Sequence, residues 1–263
     1  MSSISVDNYK YKTWYEVFPD KKVKLEELYI HSSWKHIFKK IQNDNQEKWN
    51  DINNALSECL AENLNIFPHP DLVFSAFNKT PFDKIKVVII GQDPYHNERT
   101  SKNIPEAIGT SFSVPIGVDI PSSLKNIYKN ALKYKQMLHY PSHGNLDFWA
   151  YQGCLMLNTS LTVIKNNPNV HASIWKWFTD KIIETISDKK SNVAFALWGA
   201  PAYSKNILID SDKHFISASS HPSGLSCNNP MKNFPAFVNC DHFGSINKHL
   251  KSHSKKQILW QIT

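Results

Sequence analysis

The sequence predicts an α/β domain in which a central four-stranded parallel sheet is flanked by helices. Four short apolar runs recur along the chain, helical patterns separate them, and no internal repeat or low-complexity linker divides the 263 residues. The runs are Lys86–Gly91 (KVVIIG), Gly153–Leu161 (GCLMLNTSL), Asn192–Gly199 (NVAFALWG) and His214–Ser219 (HFISAS). Near-continuous apolar stretches of this length suit parallel strands covered on both faces.

The helices follow in chain order. Val23–Ile41 and Gln46–Leu64 read as two helices ahead of the first strand. Pro121-Ser122-Ser123 resembles an N-cap for a helix running to about His139, and Asp147–Tyr151 adds a short turn. His171–Ser187 carries Ile174, Trp177, Phe178, Ile182 and Ile186 at helical spacing. Pro201–Asp210 supplies a crossover and Asp241–Leu250 a final helix. The sequence leaves open whether residues 1–24 are ordered, and residues 25–263 are expected to form the functional domain.

Composition narrows the class. At 41% hydrophobic residues the chain can bury a sizeable core. Its longest apolar run, Val193–Trp198, is far too short to cross a bilayer, and no basic, then apolar, leader opens it. A monomeric protein inside the cell is expected. The charge balance is 30 Lys+Arg against 23 Asp+Glu, and Arg99 is the single arginine. Lysine acts as a point charge toward phosphate, whereas base reading in the major groove leans on arginine forks. A DNA partner, if there is one, is therefore expected to be held by its backbone. Cys59, Cys154, Cys227 and Cys240 form no C-x-x-C pair, and no H-E-x-x-H occurs. No metal or cofactor is expected.

Parallel α/β sheets bind ligands outside the carboxyl ends of their strands. Those ends carry Gly91-Gln92-Asp93-Pro94-Tyr95-His96, then Asn158, then Trp198-Gly199-Ala200, then His221-Pro222-Ser223-Gly224-Leu225-Ser226. A carboxylate, an amide, a glycine turn and an imidazole thus share one rim. P-loop, dinucleotide and G-x-S-x-G signatures are missing. The rim suits a neutral polar ring and acid/base or electrostatic chemistry upon it.

GQDPYH at 91–96, SFSVP at 111–115, LMLNTSLTV at 155–163 and HPSGLS at 221–226 resemble the motifs of family 1 uracil-DNA glycosylase, in order and at similar intervals. The likeness runs from about Trp34 to Trp260. It implies hydrolysis of the N-glycosidic bond of deoxyuridine in DNA, leaving an abasic site. Asp93 would orient water and stabilise the sugar cation, and His221 would stabilise the uracil anion, helped by backbone amides near Gln92. Asn158 would pair with uracil N3–H and O4, Phe112 would stack on the base, and Tyr95 would exclude the methyl of thymine. Leu225 would fill the space of the flipped base, while Ser123, Ser223 and Ser226 would grip phosphates.

Taken singly, Asp93 before proline could be a turn residue, Ser123 a helix cap and Leu225 an ordinary surface leucine. Their joint occurrence carries the resemblance. Departures are Gly224, where the family commonly has proline, Ala200 in place of a serine, and insertions at 97–106 and 227–239. A non-catalytic DNA-binding or polymerase-accessory protein on the same fold is the alternative.

Overall fold

The computed structural model describes residues 3–98 and 103–263; Arg99 and part of the 97–106 insertion lie outside the described residues. Six strands occur among them: β1 (Ile66–Phe67), β2 (Val87–Gly91), β3 (Cys154–Asn158), β4 (Val163–Ile164), β5 (Ala194–Trp198) and β6 (Phe215–Ser219). The helices are α1 (Trp14–Val17), α2 (Ser32–Asp44), α3 (Gln46–Ala61), α4 (Ser75–Lys79), α5 (Ser122–Lys133), α6 (Asp147–Tyr151), α7 (Ala172–Lys189), α8 (Ala200–Tyr203) and α9 (His242–Ser252). The four strands expected from the sequence form one parallel sheet in the order β3-β2-β5-β6.

Alternation along these strands divides the core. Val88, Ile90, Leu155, Leu157, Phe195 and Leu197 pack with residues of α2, α3 and α7. Val87, Ile89, Met156, Ala196 and Trp198 pack on the other side with residues of α5, α6 and α9. Both faces are covered, which is why the strands read as unbroken apolar runs. At the amino end of the chain, Ile4, Trp14, Phe18 and Val23 are all buried. The Trp14 indole donates to the Pro68 carbonyl at 2.9 Å. Among the described residues, no helix is long and apolar enough to cross a membrane.

Several boundaries differ from the sequence reading for local reasons. The helix expected from Val23 begins only at Ser32, capped by the His31 ring. Upstream, the Val23 and Leu25 amides donate to Ser57 Oγ and Asn53 Oδ1 of α3, so tertiary bonds replace helical ones. The run through Leu161 stops being a strand at Asn158, because the Thr159 and Ser160 amides turn to the carbonyls of Gly91 and Gln92. Val163–Ile164 then pairs antiparallel with Ile66–Phe67, a small sheet the sequence did not announce. α5 ends at Lys133 rather than near His139, where Lys135 takes a left-handed φ of 57°. In α7 the fully buried tryptophan is Trp175, whose indole donates to Thr162 Oγ1 at 2.7 Å; Trp177 is only partly buried.

Two core histidines make the fold acid-sensitive. Burial lowers His171 to about 4 and His242 to about 3, against an ordinary 6.5. Both stay neutral in the folded chain while the unfolded chain takes up protons near 6.5. Their stabilising contribution is therefore complete above pH 6.5 and is lost as pH falls, each by about 1.4 kcal/mol per pH unit. Urea midpoints measured from pH 7 down to 4.5 should fall steeply with an unchanged m-value. A flat series would contradict this account.

Candidate active site

The carboxyl edge of the sheet brings the rim residues together. Parallel register sets Gly91 beside Asn158 at the ends of β2 and β3. A Cβ on Gly91 would lie 2.3 Å from Asn158 Oδ1, so only glycine leaves room for that amide. At the end of β5, Gly199 takes φ +90°, and a Cβ there would stand 2.9 Å from that of His221. Asp93, Tyr95, Phe112, Ser123, Asn158 and His221 line one cleft of about 230 Å³. An adjoining groove of about 560 Å³ is lined by Ser223, Leu225 and Ser226, and it shares Gln92 and His221 with the cleft. All ten residues singled out in the sequence thus fall within two connected concavities.

Asp93 is held by one oxygen and left free at the other. The Asn169 amide donates to Oδ2, whereas Oδ1 is buried without a protein partner. Burial raises the carboxyl pKa above its ordinary 3.8, opposed by the Asn169 amide, by His96 and by the nearby Ser160 hydroxyl, whose own proton goes to the Thr162 carbonyl at 2.9 Å. A buried, unpartnered carboxylate oxygen is costly and suits a group kept ready for a ligand. Asn169 serves twice, since its Oδ1 also accepts from Gln92 Nε2 at 2.6 Å. It lines the cleft, takes a left-handed φ of 65°, and did not stand out in the sequence. The run Asn166-Asn167-Pro168-Asn169 signals a turn, but not which asparagine reaches the carboxylate.

His221 has a defined tautomer. The Ser223 amide donates to Nδ1 at 3.0 Å, so the proton of the neutral ring sits on Nε2. Burial holds its pKa below the ordinary 6.5. Phe112 lies 6.1 Å from the imidazole, centroid to centroid, and 5.7 Å from Trp198. Its φ of +62° is rare for a bulky residue and marks backbone held in place by its surroundings. The Tyr95 hydroxyl donates to the Phe112 carbonyl at 3.3 Å, and the flanking Ser111 amide donates to Met156 at 3.0 Å. Asn158 is 6% exposed and lines the same cleft.

Leu225 is 91% exposed, at the tip of a loop with a firm base. Pro222 and Cys227 are buried, the Ser226 and Cys227 amides both donate to Ser223, and Asn126 Nδ2 donates to the Pro222 carbonyl at 2.8 Å. Gly224 has open space where a side chain would be. The 227–239 insertion is anchored by Phe237, fully buried, and by Phe234 packed on Tyr203 at 4.5 Å. Ser123 is the second residue of α5; Pro121 occupies the cap position and no side chain caps this helix. The capping expected from Pro121-Ser122-Ser123 is thus absent, and the Ser123 side chain borders the cleft.

A family model described as the uracil DNA glycosylase superfamily matches residues 77–251. The chain belongs to that superfamily. The glycosylase is 40% identical to a probable uracil-DNA glycosylase of Acanthamoeba polyphaga mimivirus, over 98% of this chain and 72% of the relative. It is 41% identical to a uracil-DNA glycosylase of Pseudomonas fluorescens (strain Pf0-1), over 92% and 97%. The crystal structure of mimivirus uracil-DNA glycosylase superposes with a TM-score of 0.94 at 39% identity, covering 99% of this glycosylase and 97% of that chain.

Proposed function

We propose that the glycosylase hydrolyses the N-glycosidic bond of deoxyuridine in DNA, releasing uracil and leaving an abasic site, with Asp93 and His221 as its catalytic groups. The observation that carries this reading is the meeting, in one cleft, of a partner-free Asp93 oxygen, the Asn158 amide and an imidazole whose neutral form bears its proton on Nε2. The catalytic machinery is assigned to residues 25–263, without metal or cofactor, and the protein is proposed to work in a DNA-containing compartment of the cell.

In this mechanism the target nucleotide leaves the stack and Leu225 takes its place, at a cost of a few kcal/mol. Ser123, Ser223 and Ser226 hold flanking phosphates. As the bond from C1′ to N1 breaks, its electron pair passes to uracil. Negative charge at O2 is met by His221 Nε2–H, and positive charge at the sugar by Asp93, which also orients the water that adds to C1′. Asn158 offers one acceptor and two donors, matching uracil N3–H and O4, where cytosine would leave buried groups unpaired. Hydrolysis in ¹⁸O-water tests the bond assignment. The label should enter the deoxyribose and not the uracil; label in the base would overturn it.

The working form needs Asp93 ionised and His221 neutral. Asp93 titrates above 3.8 and His221 below 6.5, so both are lost on the acid side. A plot of kcat/KM against pH should be level through neutrality and fall only below 6.5. Activity rising as pH drops below 6.5 would instead require an imidazolium.

Tyr95 is proposed to bar thymine. Tyr95→Ala should admit it, giving measurable thymine release from T-containing oligonucleotides. Because its hydroxyl also supports Phe112, uracil release should fall about tenfold. Tyr95→Phe should keep the discrimination, and thymine release by Tyr95→Phe equal to that by Tyr95→Ala would contradict a steric role.

A further inference from the structure

A second concavity, of about 900 Å³, lies on the face opposite the uracil cleft. Lys86 precedes β2, Gln152 precedes β3 and Ser191 precedes β5, so it sits at the amino ends of the strands. Five-residue strands separate the two faces by roughly 16 Å. Seven lysines and a single carboxylate, Asp83, line it. Lys79 is neutralised by Asp147 at 2.6 Å, which leaves six lysines facing one acid.

Helix C-termini attract lysines, and that accounts for part of the cluster. Lys255 Nζ donates to the Ser191 and Asn192 carbonyls at 2.7 and 2.9 Å, and Lys86 Nζ to that of Lys256 at 2.9 Å. Lys190 lies over the Phe82 ring at 4.9 Å. Burial lowers the Lys255 pKa, and the positive charges of Lys190 and Lys86 lower it further. Lys189 ends α7 and Lys84 ends a short 3-10 turn, yet among the described residues neither these two nor Lys256 has its ammonium tied to a backbone carbonyl. These three are exposed, and among the described residues only Lys84 meets a carboxylate, Asp83 at 3.5 Å on the surface. Tyr151, 43% exposed, stands in the same wall.

We propose that this cleft is a second, non-catalytic DNA site that takes a single-stranded segment, its phosphates against the lysines and a base against Tyr151. Lysine ammonium groups suit phosphate as point charges, whereas planar carboxylates favour the arginine fork, which is missing here. An exposed aromatic ring among cations is the usual platform for unpaired bases of any sequence. The concave shape admits one strand more readily than a duplex.

The test uses the full chain, first saturated with an abasic-site duplex whose own fluorophore reports occupancy of the catalytic face. A differently labelled oligothymidylate is then titrated in. Binding to the saturated protein is expected, weakened about tenfold in the Lys84→Gln/Lys189→Gln/Lys256→Gln variant. The slope of log K against log salt should fall in magnitude by about 2, for three phosphate contacts on a single strand. Uracil release by this variant should match that of the unmodified protein and so report its folding. Should the triple variant lose uracil release, the single variants decide: Tyr151→Ala should weaken oligothymidylate binding and Tyr151→Phe should retain it. No binding to the saturated protein, or equal binding by parent and lysine variant, would overturn the proposal. So would equal binding by the two Tyr151 variants. Displacement by polyglutamate at equal charge would make this an acidic-peptide site instead.

Discussion

Asp93→Asn should lower the rate of uracil release by about 10²–10⁴, or about 3–5 kcal/mol of transition-state stabilisation, while DNA affinity stays within a few-fold. The amide is isosteric, and its oxygen can still accept from the Asn169 N–H that now holds Oδ2. What disappears is the charge facing the sugar cation. Burial already disfavours the ionised carboxylate, so its neutral replacement should also raise Tm. Lower turnover with unchanged binding and higher stability is the signature of a group kept for chemistry. Loss of binding in parallel with turnover would assign Asp93 to positioning the DNA. The accessory-protein alternative has no turnover to lose.

Gly91→Ala should cost about 10² in kcat/KM although Gly91 itself has no side chain to offer the substrate, because it displaces Asn158. The added Cβ would lie 2.3 Å from Asn158 Oδ1 and 2.7 Å from Ser111 Cβ. Something must move by the better part of an ångström, and misplacements of that size cost about a hundredfold. Ser111 is tied down, its amide bonded to the Met156 carbonyl, so the Asn158 amide is the part that should give way. Overpacking should cost a further 1–3 kcal/mol or so of stability. The comparison that isolates the effect is kcat/KM for uracil release against affinity for a uracil-free duplex. A change below about threefold in kcat/KM would show that Asn158 tolerates the displacement and that its position is not critical.

What the sequence made legible follows from local physics. β2, β3, β5 and β6 could be found because burial on both faces leaves nearly unbroken apolar runs. The candidate rim was legible because strand ends in such sheets mark where ligands bind, and the residues of the ordered motifs line the two concavities there. Elements fixed by distant partners were harder to see. The stretch before Ser32 has helical composition, but its amides are claimed by Ser57 and Asn53. β1 and β4 are two residues each and exist through their pairing alone. Within the site, Asn169 passed unnoticed because its contribution to Asp93 is a backbone N–H, which any residue type supplies. The left-handed φ of Phe112 likewise left no mark on composition, since glycine or asparagine is the usual occupant of that region.

The most direct test of the central claim is uracil release from a DNA oligonucleotide carrying a single uracil, in EDTA, with thymine- and cytosine-containing oligonucleotides as controls. Rapid release of uracil alone, leaving an alkali-labile abasic site, is the expected result. DNA binding without release, or equal release of cytosine, would contradict the roles proposed for Asp93, His221 and Asn158.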